Sequence, residues 1–141
     1  MNARHEELEE ASKWVKVAED DLRSAEYLLT MGDSSPFNVV CFLAQQCAEK
    51  YLKGLLIYQG IDFPKTHDLI VLVKSVPLST DFAISAENLL PLNRYSIEPR
   101  YPGNWWPYSK VDAQEAVAVA KTVREAVRDC LPSEAISVEE E

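Results

Sequence analysis

Two stretches of the sequence carry the residue types that acid–base or phosphate chemistry needs. In the first, Gln46, Glu49, Lys50 and Lys53 recur at short steps, and on a helix they share an arc of roughly 100°. Glu49 precedes Lys53 by four residues, the favourable order for an ion pair. Val39, Phe42 and Ile57 fall in the same arc, which a purely solvated stripe would not normally carry. Polar groups set into an apolar stripe suit a semi-buried cleft or an oligomer interface; a surface salt bridge beside stray apolar residues is the alternative. In the second stretch, Arg94, Arg100 and Lys110 stand among Tyr95, Tyr101, Trp105, Trp106 and Tyr108, with only Glu98 against them. Cations interleaved with aromatics suit phosphate contact and base stacking. The alternative is a structural lid, with the Trp pair over the end of the fold and Arg100 paired with a carboxylate.

His67 reads as the one histidine inside the folded region, at the start of a helix and bonded to a neighbouring loop. No His or Cys stands at ligand spacing around it, so no metal is expected. His67-Asp68 lacks the strained nucleophile turn of a hydrolase. No Walker-type or dinucleotide-binding glycine pattern occurs among the four glycines, and no cofactor is implied. Cys41, Cys47 and Cys130 form no CxxC pair and fall among apolar residues, as small hydrophobes do.

The elements that position these residues follow from hydrophobic periodicity. Leu8, Ala11, Trp14, Val15, Ala18, Leu22, Ala25, Leu28 and Leu29 predict a first helix from about Glu6 to Met31, stopped by Gly32-Asp33. Ser35-Pro36 reads as a cap and first turn of a second helix, from about Pro36 to Gln59, ending at Gly60. Thr66 reads as the N-cap of a shorter helix, with His67 and Asp68 in its first turn and Leu69–Val76 as its body. Ile70-Val71-Leu72-Val73 is strand-like in composition, but no partner strand exists. A fourth helix is expected over Asp81–Tyr95, with Ala83, Ala86, Leu89 and Leu90 inward. Three prolines, a glycine and four aromatics make Ser96–Tyr108 an irregular loop. Ser109-x-x-Asp112 caps a last helix that runs to about Cys130 and buries Val117, Ala120, Val123, Val127 and Leu131. The fold class implied is all-α, an antiparallel four- to five-helix up-and-down bundle over residues 1–131, followed by an acidic disordered tail over residues 132–141.

Composition fits that reading. The 141 residues are 47% hydrophobic and 26% charged, as in one globular domain rather than a disordered chain. No apolar run is long enough for a membrane span and no signal peptide opens the chain, so a reduced, cytoplasmic protein is expected. The net charge of −9 is uneven. Residues 1–33 and residues 111–141 each balance at −5, whereas residues 34–110 balance at +1. A local basic cleft in the middle of the chain survives the acidic total, although long-range steering of a polyanion would be poor.

Four features in order resemble the HEPN family. They are Ala44-Gln45-Gln46-Cys47-Ala48-Glu49-Lys50-Tyr51-Leu52-Lys53-Gly54, then Thr66-His67-Asp68-Leu69, then Arg100-Tyr101-Pro102, then the final alanine-rich helix. The likeness runs from about Trp14 to Leu131. It implies a compact helical bundle, frequent homodimers, a link to nucleotides or RNA, and a small nucleotidyltransferase as toxin–antitoxin partner. Catalytic members are metal-independent ribonucleases with an Arg-x(4–6)-His motif, used across a dimer. This chain departs from that motif: Pro99, Arg100 and Tyr101 follow Arg94 where His should stand, and Trp105, Trp106 and Pro107 follow Arg100. Arginine is no base near neutral pH. The expectation is therefore a binding protein rather than an enzyme, with Gln46, Glu49, Lys50 and Lys53 lining a cleft and Arg94, Arg100 and Tyr101 contacting phosphate and base. The alternatives are a ribonuclease toxin using His67 as substitute base, and an interaction module that binds only protein. If the second helix carries a homodimer interface, Phe42→Glu halves the mass seen by light scattering; an unchanged mass puts the interface elsewhere.

Overall fold

The computed structural model describes residues 3–96 and 107–136. Among these residues it holds α1 (Ala3–Leu29), a 3₁₀ turn (Gly32–Ser34), α2 (Phe37–Tyr58), α3 (Leu69–Ser75), α4 (Ala86–Asn93), α5 (Lys110–Asp129) and α6 (Ser133–Ile136). The all-α reading holds, with six α-helices among the described residues where four or five are expected. α2 is the central element: it packs against α1, α5, α3 and α4. Its residues Val40, Ala44, Cys47, Ala48, Tyr51, Leu52, Leu55 and Leu56 are fully buried, and this apolar face is the wall around which the other helices assemble.

α1 and α2 approach closely because small residues meet between them. Ala11, Ala18 and Ala25 are fully buried on α1. A side chain on Gly54 would place its Cβ 3.1 Å from the Trp14 Cβ, tighter than packing normally allows. The turn between the two helices uses Gly32 at φ 67°, in the left-handed region that glycine enters without strain. Gly60, at φ 71°, ends α2 in the same way.

Several local expectations are corrected. Pro36, not Ser35, occupies the N-cap position of α2, and the buried Ser35 Oγ has no hydrogen-bond partner among the described residues. Asp68, not Thr66, caps α3: its Oδ1 accepts from the amides of Ile70 and Val71, at 2.9 and 3.4 Å, while the Thr66 Oγ1 accepts from the Asp68 amide. α4 starts at Ala86 rather than Asp81, because Asn88 Oδ1 takes the Ser85 N–H at 3.0 Å. The segment before it runs irregularly, with Ile84 buried beneath it. Ala83 and Leu90 are exposed, and Leu92 joins Leu89 in the core instead. The tail beyond Pro132 is not uniformly irregular: Ser133–Ile136 forms a helical turn against α1, with Ala135 fully buried. His5 also lies within the fold, on α1 and 3.5 Å from Glu9. The expected loop over Ser96–Tyr108 falls mostly outside the described residues.

The close approach of α1 and α2 is testable at its tightest point. Gly54→Val forces a branched side chain against Trp14 and should lower the unfolding free energy by about 1–3 kcal/mol in urea titration. A midpoint equal to the wild type would mean that the helices separate without cost.

Candidate functional site

The second helix aims a carboxylate into the protein at Glu49, which is only 3% exposed. Helical spacing puts Gln45, Gln46 and Lys53 within reach of it, one turn before and one turn after. Lys53 Nζ donates to Glu49 Oε2 at 2.9 Å, and the amides of Gln45 and Gln46 each reach Oε1 at 3.3 Å. The fourth partner comes from the connector before α3: His67 Nδ1 lies 3.1 and 3.0 Å from the two oxygens. The His67 backbone carbonyl accepts from Gln45 Nε2 at 3.1 Å, so two separate bonds hold the connector on α2.

Electrostatics sort this group. Burial alone would raise the Glu49 pKa, but the hydrogen bonds from Lys53 and His67 and the Lys53 charge overcome it and hold the carboxyl below its ordinary range. Glu49 is therefore an anion with partners on both oxygens. Lys53 is buried against it and sits 5.8 Å from the centroid of the Trp14 ring. His67 differs: its side chain is 55% exposed. With Nδ1 donating to the carboxylate, Nε2 is the ring nitrogen left for solvent or a ligand.

The C-terminal end of α4 lies next to this connector. Asn93, the last residue of α4, accepts from the Leu69 amide at 2.7 Å and donates to Asp68 Oδ1 at 3.0 Å. The chain therefore leaves α4 from a residue bonded to the two positions after His67. Arg94, the next residue, lies over the rings of Tyr95 and Tyr108, its guanidinium carbon 5.1 and 5.2 Å from their centroids. It donates to the Tyr95 hydroxyl at 3.2 Å, which pushes its pKa further up and keeps it cationic. The two tyrosines meet edge to face, 4.7 Å apart.

Of the residues singled out from sequence, Gln46, Glu49, Lys53 and His67 come together. Lys50 does not join them: its Nζ turns to Asp21 of α1 at 2.8 Å, because one residue past Glu49 the helix already faces that neighbour. Burial raises the Asp21 pKa more than the Lys50 contact lowers it, so this pair is a structural link. Arg94 is held by tyrosines beside the connector. Arg100 and Tyr101 lie outside the described residues. Gln45 was not among the candidates, although its four-residue step to Glu49 is a readable signal; the part of Asn93 depends on a contact 24 residues away, for which sequence gives none. The thiols of Cys41 and Cys47 are buried and their pKa values pushed up by burial, that of Cys41 to about 12, so neither is a reactive nucleophile at neutral pH.

Comparison with known proteins points one way. The HEPN domain model matches residues 11–130. A protein of Methanocaldococcus jannaschii named "Putative toxin MJ1304" is 32% identical over 137 residues, covering 86% of this chain and 88% of the relative. The crystal structure of TT1696 from Thermus thermophilus superposes with a TM-score of 0.75 at 31% identity, over 86% of this chain and 98% of that one. ST0689, described as an archaeal HEPN homologue, gives a TM-score of 0.66 at 31% identity, over 84% of this chain and 95% of that one.

The depressed Glu49 pKa has a measurable consequence. The stability it contributes is complete above the ordinary glutamate value of about 4.3 and is lost as pH falls through the lower folded value. Asp21, with its raised pKa, contributes with the opposite sign. Urea unfolding between about pH 6 and about pH 3 should therefore show a shallower acid-side fall for Glu49→Gln than for the wild type, from a lower starting stability. Parallel curves would mean that the Glu49 charge contributes nothing to folding.

Proposed function

The chain belongs to the HEPN family, and from that premise we propose that its Glu49–His67 pair binds the phosphate of a nucleotide or an RNA segment. The observation that carries this reading is the exposed imidazole fixed at Nδ1 by a buried carboxylate. When protonated, such a ring presents Nε2–H to an anion, and the carboxylate behind it stabilises the positive charge. Gln46 and Lys53 hold the same carboxylate from α2. Arg94, next to the residue that clasps Asp68 and Leu69, supplies a permanent cation, and Arg100 and Tyr101 of the following loop supply further phosphate and base contacts.

The protein then acts in the cytoplasm as the toxin-like half of a two-component system, with a small nucleotidyltransferase as partner and a second copy of itself as dimer mate. The relative named as a toxin supports the two-component part of this reading.

A ribonuclease using His67 as substitute base is the second reading, favoured by the same hydrogen bond. With Nδ1–H given to Glu49, the neutral ring keeps its lone pair on Nε2, the tautomer that a general base needs.

Isothermal titration with ATP, GTP and a short single-stranded RNA, followed by a gel of the RNA, separates these readings. Binding without cleavage, weakened about tenfold by His67→Ala, is the expected result. Cleavage that disappears in the His67→Ala variant establishes the ribonuclease instead. Neither binding nor cleavage overturns both and leaves a module that binds only protein.

A further inference from the structure

The last long helix separates its charges by side. Three of its cations turn toward α1: Lys121 Nζ lies 2.9 Å from Glu26, Arg124 Nε 2.6 Å from Glu19, and Arg128 Nη1 3.8 Å from the same Glu19, while Lys110 at its start lies 3.6 Å from Asp33. Its carboxylates Asp112, Glu115, Glu125 and Asp129 line the opposite side, where none forms an ion pair with a described residue. Asp112 accepts from the Ser109 amide at the helix start.

These four carboxylates border two cavities of about 390 and 280 Å³ that share Val119. Together they form one groove between α4 and α5. Its floor is apolar, with Leu89 and Leu92 of α4 and Ala116, Val119 and Ala126 of α5. No described lysine or arginine lines it. The groove exists because α4 has 8 residues and carries Pro91, whereas the α5 it lies on has 20. From Asp112 to Asp129 the open wall runs about 25 Å, enough for some four to five turns of a docked helix.

We propose that this groove is a docking site for a basic amphipathic helix of a protein partner. An apolar ridge on that helix would fill the Leu89–Val119–Ala126 floor, and lysines or arginines at its flanks would meet the four carboxylates. Nucleic acid is repelled by this wall. A second copy docking through its own α5 is a poor match, because that helix pairs Lys121, Arg124 and Arg128 with α1 and Lys110 with Asp33. The Glu49–His67 pair lies elsewhere, at the connector before α3, and lines neither cavity of this groove.

The test uses a labelled peptide of about 16 residues, leucine on one helical face and lysine on its flanks, followed by fluorescence anisotropy. A scrambled peptide of equal composition serves as the control for bare charge attraction. The intended peptide should bind at least about tenfold more tightly than the scrambled one, and raising salt from about 0.1 M to about 1 M should weaken it. The double variant Glu115→Lys and Glu125→Lys, both exposed positions, should reduce binding about tenfold with an unchanged melting temperature. Ala118→Trp, which fills the groove from an exposed position, should block it. Equal binding of the scrambled peptide, or indifference to both variants, overturns the proposal. So does a wild-type dimer that dissociates on Ala118→Trp, which would assign the groove to a second copy.

Discussion

A carboxylate buried in a helical bundle is the constraint on which the site depends. Glu49 is almost wholly removed from water, and an ion so placed persists only if its oxygens find donors. α2 supplies three of them by helical spacing alone. The fourth, His67, must come from another segment, and recruiting it fixes the connector on α2. From there the links run outward: Asp68 caps α3, Asn93 of α4 clasps Asp68 and Leu69, and Arg94 follows over the rings of Tyr95 and Tyr108. One desolvated charge thus sets where the exposed imidazole and the neighbouring guanidinium stand.

A second polar centre does the corresponding work on the other side of α2. Glu19 of α1 accepts from the Tyr51 hydroxyl of α2 and from Arg124 of α5. Burial would raise its pKa, and the Arg124 and Tyr51 hydrogen bonds reverse that and lower it. Arg128 completes the set through the Tyr51 oxygen at 3.2 Å. The three long helices are therefore tied at one carboxylate. Because this tie draws the cations of α5 to one side, it leaves the acidic groove on the other.

The sequence carried much of this in its periodicity. The helical class, the α2 polar arc and the Glu49–Lys53 pair all follow from residues three or four apart, where local geometry decides contact. What was not legible depends on chain-distant partners. Lys50 lies in the same arc, yet Asp21 of α1 takes it, because the packing angle of α1 is no property of α2. His67 reads as a helix-start residue with a loop contact, and its true partner is a carboxylate 18 residues earlier. Residues 81–85 have helix-compatible composition, but burying Ile84 beneath an irregular segment prevails over local propensity. Ala135 is buried beyond a helix-stopping proline for the same kind of reason: α1 offers a surface that composition does not reveal.

The central claim is that Glu49 sets the tautomer of His67 and so leaves Nε2 to face a ligand. Long-range nitrogen–proton NMR of the imidazole tests it directly, since the two ring nitrogens have distinct shifts according to which carries the proton. In the neutral ring, the account predicts a protonated Nδ1 and a bare Nε2 in the wild type. It also predicts that this preference relaxes toward the other tautomer in Glu49→Gln. A wild-type ring protonated at Nε2, or one whose tautomer ignores the Glu49 substitution, would contradict it.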